Sequence, residues 1–185
     1  VINRLAFLVA ASNLASFLLY FLQERFPGLQ GNAAAQPATL LVMATGIAIL
    51  LAALPAGWLA DKIGTKPVLA VSGIIAAAGT LVVIAAQDMS TMTVGAVLVG
   101  VASGAFYSAN WALGTQIVPK KEAGRYLGIS NLAGAGAGAI GAYIGGPIGD
   151  SSGYVVQMAI YAALFLFSTF ARLRIKPANH KAEHA

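Results

Sequence analysis

Sorted only into apolar and polar positions, the chain reads as long greasy stretches separated by short polar breaks. Six stretches come close to or exceed the roughly 20 residues that a helix needs to cross about 30 Å of hydrocarbon. They run Leu5–Leu22, Ala38–Ala60, Pro67–Ala86, Met92–Val118, Tyr126–Gly149 and Tyr154–Leu173. All six are expected to be helices, because an open sheet would leave backbone groups unpaired in lipid and the alternating pattern of a membrane barrel is absent. The pattern divides the chain into a six-helix transmembrane domain, residues 1–175, and a polar tail, residues 176–185.

Composition agrees: 58% of the 185 residues are hydrophobic and 9% are charged, where a soluble domain carries about 25% charged residues. Mean hydropathy is +0.79, so the main surroundings are a lipid bilayer. With no Cys, disulfides, metal thiolates and thiol nucleophiles drop out, and the redox compartment stays open. No charged n-region or A-x-A cleavage site precedes the first span, so no signal peptide is expected, and the absent initiator Met fits a fragment.

The net charge of +5 raises the question of nucleic acid, but the charges are dispersed among helix ends. Arg4 precedes span one, Lys62 and Lys66 follow span two, Lys120, Lys121 and Arg125 join spans four and five, and Arg172, Arg174, Lys176 and Lys181 end span six or follow it. Alternating six spans puts all of these on one side, with Arg25 alone of the eleven basic residues opposite. This is a topology signal and not a nucleic-acid patch. It places both termini in the cytoplasm, with a bacterial inner membrane as the expected location.

The polar turn between spans two and three reads GWLADKIGTKPVL, from Gly57 to Leu69. Gly57, Leu59, Ala60, Asp61, Lys62, Gly64, Lys66 and Leu69 follow, in order and spacing, the pattern G-x-L-a-D-r-x-G-r-k-x-x-l of the major facilitator superfamily, which this chain resembles; Thr65 departs from it. Physically, Gly57 allows close helix approach, Gly64 permits a turn that a Cβ would hinder, and Asp61 supplies a carboxylate for a helix N-terminus or a base. The resemblance implies that Gly57, Asp61, Lys62, Gly64, Lys66 and a base such as Arg125 or Arg174 work as a gate on the cytoplasmic side. IVPKKEAGRYLGISN, Ile117 to Asn131, and GAYIGGPIGD, Gly141 to Asp150, are similar to weaker patterns of the same family. Members usually have twelve helices, so six imply one half, and Thr65, the lack of an Arg inside span four and the polar tail favour the C-terminal half.

The chain also echoes itself. GWLADKIG from Gly57 and GPIGDSSG from Gly146 both read G-x-(Leu/Ile)-small-Asp-x-x-Gly, each after the second helix of a set of three. Spans one to three and four to six are therefore expected to be two inverted three-helix repeats, since three is odd. The expected fold is all-α, half of a major facilitator fold.

In span one, Asn13, Ser16 and Tyr20 share a helical face, as do Ser103, Tyr107, Asn110 and Gly114 in span four. In the resembled family the first and fourth helices of each half line the central cavity, which makes Asn13, Ser16, Tyr20, Tyr107 and Asn110 candidate cavity residues; interhelical hydrogen bonding is the other reading. In span five, Asn131, Gly134, Gly138, Gly141 and Gly145 form a stripe expected to pack on span two or on a missing half. Span six, bulky and nearly nonpolar all round, is expected to face lipid, and His180 and His184 lie in the polar tail.

All six acids, Glu24, Asp61, Asp88, Glu122, Asp150 and Glu183, fall in loops, helix ends or the tail. No carboxylate sits mid-membrane, where a coupled carrier usually keeps one. No metal cluster, cofactor loop or catalytic constellation is legible, so neither enzyme activity nor a cofactor is expected. The reading is half of a secondary transporter for a small polar solute, working by alternating access with a second six-helix half, on the same chain or a copy of itself. The alternative is a non-transporting structural or assembly subunit among other membrane subunits.

Overall fold

The computed structural model describes residues 2–117 and 123–173. They form six α-helices: α1 (Ile2–Arg25), α2 (Ala35–Ile63), α3 (Thr65–Ala85), α4 (Met89–Ile117), α5 (Ala123–Ser152) and α6 (Tyr154–Leu173). A short 3-10 turn, Gly31–Ala34, leads into α2. The first five helices extend beyond the apolar stretches that announce them, because hydropathy marks only the part in hydrocarbon while the helix continues into the polar boundary. Among the described residues, α1 to α4 are long and apolar enough to span a membrane; α6 carries a shorter apolar stretch, Tyr154–Phe170. The many glycines of α5 lower its hydropathy.

The helix starts are locally specified. Asp88 accepts the Thr91 backbone N–H at 2.8 Å and the Thr91 hydroxyl at 2.8 Å, a side-chain cap for α4. Pro67 sits in the first turn of α3, where its missing N–H costs nothing. The α2–α3 and α5–α6 turns each pass through a glycine with positive φ, Gly64 at +91° and Gly153 at +86°, where a side chain would be strained.

Packing follows a two-fold rule. α2 packs on α4 as α5 packs on α1; α3 packs on α4 as α6 packs on α1; and α3 and α6 pack on each other. Exchanging helices one, two and three with four, five and six leaves this scheme unchanged, as inverted three-helix repeats require. The registers agree too: Ala48, Ala52, Ala56 and Ala60 of α2 and Ala137, Gly141, Gly145 and Gly149 of α5 are small-residue stripes a constant 89 positions apart, the offset that also relates Asp61 to Asp150 and Gly64 to Gly153.

Near the centre, Phe7 of α1 stacks on Phe106 of α4 with ring centroids 3.6 Å apart and meets Phe165 of α6 edge-on at 4.8 Å. All three rings are fully buried. The expectation that α6 faces lipid all round is corrected here. Gln157, Met158, Tyr161, Ala162, Phe165, Ser168 and Thr169 are buried, while Val156, Ile160, Phe167 and Phe170 stay exposed. Thr169 donates to the Ala70 carbonyl of α3 at 3.1 Å, beside Gly73, whose missing side chain leaves room for it. The two faces differ in polarity: Gln157, Tyr161, Ser168 and Thr169 lie on the buried side and Val156, Ile160, Phe167 and Phe170 on the outer one, because a polar side chain in a membrane helix turns toward a hydrogen-bonding neighbour.

Candidate functional site

The signature turn is built from two helix ends. Gly57 lies against α4: a Cβ there would fall 2.8 Å from Ser108 Oγ, so glycine lets the helices approach. One turn on, the Lys62 ammonium lies 3.8 Å from the centroid of the Trp58 ring, a cation–π contact on an exposed surface. Asp61, Lys62 and Lys66 are all exposed, and among the described residues no side chain caps the N-terminus of α3. The Arg125 side chain, Lys120, Lys121, Arg174 and the tail at 176–185, with His180 and His184, lie outside the described residues.

A second feature is a cavity of about 290 Å³ enclosed chiefly by α1, α2 and α4. Its polar lining is Ser12, Thr45, Ser103 and Tyr107, set among alanines, leucines and valines, and no charged side chain among the described residues borders it. Thr45 is partly committed, donating to the Leu41 carbonyl at 2.8 Å and to the Ala96 carbonyl of α4 at 3.3 Å. Ser103 is buried and Tyr107 is 39% exposed, so the Tyr107 phenol reaches the mouth.

The five residues singled out on α1 and α4 separate into different places. Tyr107 lines the cavity and Asn110 is half-buried three residues further along α4. Ser16 is exposed, its hydroxyl donating to the Ser12 carbonyl at 3.1 Å. Tyr20, 48% exposed, stacks on Tyr154 of α6 at 5.5 Å, near the end of the bundle. Asn13 is turned into the bundle. Only 1% exposed, it donates to the Val9 carbonyl at 2.9 Å and to the Ala137 carbonyl of α5 at 3.4 Å, so it acts as an interhelical hydrogen-bonding residue. Ser12, Thr45 and Ser103 complete the polar lining; Ser103 shares the α4 face that sequence periodicity picks out, whereas Ser12 and Thr45 are ordinary hydroxyls in apolar helices with no local mark.

The glycine stripe of α5 also divides. Gly141 lies against the Asn13 amide, and a Cβ on Gly145 would fall 2.5 Å from Gln157 Nε2 and 2.9 Å from Phe17. Gly134 and Gly138 have nothing within 4 Å of where a Cβ would stand. The packed face is therefore Ala137, Gly141, Gly145 and Gly149, directed at α1 and α6 and not at α2 as the sequence suggested. A close backbone-to-backbone helix contact lies elsewhere. Gly100 and Gly104 of α4 rest on the α2 backbone, where a Cβ on Gly100 would fall 2.6 Å from the Thr45 carbonyl oxygen and one on Gly104 would overlap the Ile49 carbonyl. That pair was visible as a G-x-x-x-G spacing in span four.

With the inverted repeat and the signature turn in place, comparison with known proteins decides the family. The chain matches the Major Facilitator Superfamily over residues 3–185. It belongs to that superfamily. One relative, the minor myo-inositol transporter IolF of Bacillus subtilis, is 28% identical over 139 residues, 74% of this chain and 32% of that protein. The chain thus spans well under half the length of this curated relative. Superfamily membership and the apolar helices make the chain an integral membrane protein.

Proposed function

We propose that this chain is one half, the C-terminal one, of a secondary transporter that carries a small neutral polar solute by alternating access against a second six-helix half. The observation that carries the reading is the cavity between α1, α2 and α4, with hydroxyls from Ser12, Thr45, Ser103 and Tyr107 and no charge among the described residues on its wall. Hydroxyls exchange hydrogen bonds with a hydroxylated solute, whereas an ionic solute would need a paired charge to offset its desolvation. The relative's name makes myo-inositol the first solute to test.

In this reading the exposed signature turn is the gate on the cytoplasmic side of an inner membrane, with both termini on that side. Asp61 is free to meet a base or a helix N-terminus of the second half when the cytoplasmic side closes; Arg125 and Arg174 are candidate bases in the chain itself. A helix N-terminus contributes about 0.3–1 kcal/mol to an exposed carboxylate and an ion pair at most about 1 more. Together they shift the balance of the two access states by roughly tenfold.

The experiment is uptake of labelled myo-inositol by proteoliposomes of the full-length protein. Tyr107→Phe and Ser103→Ala are expected to lower affinity several-fold, and Asp61→Asn to slow uptake while leaving folding intact. Absence of uptake of any neutral polyol by the wild type, together with stable co-purification in a larger complex that Asp61→Asn weakens, would replace the transporter with an assembly subunit.

A further inference from the structure

α1 ends in two adjacent residues of opposite charge, Glu24 and Arg25, at the end of the bundle opposite the signature turn. Each reaches the end of a different helix. The Glu24 carboxylate accepts the backbone N–H of Tyr154, the first residue of α6, at 2.6 Å. Arg25 donates through Nε to the carbonyl of Ala86, the residue that caps the C-terminus of α3, at 3.1 Å. A helix carries partial positive charge at its N-terminus and partial negative charge at its C-terminus, so both charges are set against the end that suits them.

The surroundings reinforce the contact. Tyr20, one turn before Glu24, stacks on Tyr154, and the Tyr154 hydroxyl donates to Asp150 at 3.0 Å. Glu24 Oε1 also lies 3.1 Å from where a Cβ on Gly153 would stand, so the carboxylate rests close over the positive-φ turn. The repeat-related turn at Gly64 has a similar positive φ, yet among the described residues no side chain caps α3 there, and Thr65 stands where Tyr154 stands in the other copy. The two turns are thus tied down differently.

We propose that Glu24 and Arg25 form a dipole-matched clamp that locks α1 to α3 and α6 at one end of the bundle. That end is rigid, and the end carrying the signature turn is the one that yields. The clamp stands on the contacts alone; its part in a transport cycle rests on the reading of the preceding section. The two residues are positioning residues, distant from the cavity, and they act through helix ends.

Site-resolved amide hydrogen exchange on the full-length protein in lipid nanodiscs tests this without reference to uptake. In the wild type the Tyr154 amide is expected to exchange about tenfold more slowly than the Thr65 amide, its counterpart in the other repeat. Glu24→Gln keeps the side-chain shape and removes the charge; it is expected to speed exchange at the start of α6 severalfold and leave α3 unchanged. Arg25→Met is expected to do the reverse, loosening residues 84–88 only. The charge-exchanged double variant Glu24→Arg with Arg25→Glu keeps net charge but opposes both helix ends, and is expected to loosen both. Exchange at Ala76, in the buried middle of α3, serves as the reference if a variant lowers global stability. Equal Tyr154 and Thr65 exchange in the wild type, unchanged exchange at α6 in Glu24→Gln, or wild-type protection in the double variant would each overturn the clamp. Absence of uptake of any neutral polyol with the exchange pattern intact would sink the transport reading and leave the clamp standing.

Discussion

Gly100→Ala adds one methyl at the crossing of α4 over α2, and the structure sets its consequence. The new Cβ would lie 2.6 Å from the Thr45 carbonyl oxygen and 2.7 Å from the Ala48 Cβ, well inside the ~3.5 Å of an ordinary nonbonded contact. One obstacle is backbone and the other a rigid methyl, so neither can rotate away and the helices must separate. Overpacking of this kind costs about 1–3 kcal/mol. Replacing a helical glycine by alanine also stabilises by about 1 kcal/mol through propensity, which would hide part of that cost. Gly138→Ala in α5 carries the same propensity gain and meets nothing within 4 Å, so comparison of the two isolates the packing term. The expected result is that Gly100→Ala is less stable than Gly138→Ala by about 1–3 kcal/mol, read as the shift in equilibrium unfolding of the full-length protein in mixed micelles. Equal stability of the two variants would refute the reasoning that α2 and α4 touch backbone to backbone.

Other outcomes follow from the same geometry. Single cysteines at Ser151 and Lys66, both exposed and on repeat-related turns, are expected to label from opposite sides of the membrane with an impermeant thiol reagent, and labelling from one side would contradict the inverted repeat. Gly141→Ala is expected to displace the Asn13 amide and destabilise by about 1–3 kcal/mol in the same unfolding assay, with Asn13→Ala in the Gly141→Ala background recovering part of the loss. The hydrogen bonds from Thr91 hold the Asp88 carboxyl below its usual pKa, so its capping contribution is present above the unfolded value of about 3.9 and is lost as pH falls through the depressed folded value. Rate-corrected amide exchange at Thr91 is therefore expected to accelerate below about pH 4, and Asp88→Asn to flatten that dependence.

What was legible in the sequence was what depends on near neighbours. Six apolar runs gave six helices because length in hydrocarbon is a local requirement. The spacing of Gly57, Asp61 and Gly64 and its echo at Gly146, Asp150 and Gly153 exposed the repeat, because a turn between two antiparallel helices is written in consecutive residues. Long-range choices were not legible. Asn13 has the spacing of a cavity residue, and only its contact with Ala137, 124 positions away, shows that it faces α5. Gly134 and Gly141 look alike in a sequence; one is open and the other holds a side chain. The Glu24 and Arg25 contacts reach 130 and 61 positions along the chain, and nothing near them in sequence indicates their partners.

The two repeats also show that symmetry fixes the volume at a helix crossing and not the residue that supplies it. Where α2 meets α4, Gly100 lies against Thr45 and Ala48 and Gly104 against the Ile49 backbone, and the backbones come together. At the equivalent crossing of α5 and α1, the space that Gly141 and Gly145 leave is filled by Asn13, Phe17 and, from α6, Gln157. Backbone atoms in close contact cannot adjust, because any displacement opens a void or makes a clash, whereas a side chain in a glycine recess can change rotamer as the helices slide. By this argument the α2–α4 crossing, like the α3–α4 crossing at Gly79 and Gly95, is a backbone contact that resists sliding, whereas α5 meets α1 through side chains and leaves Gly134 and Gly138 open.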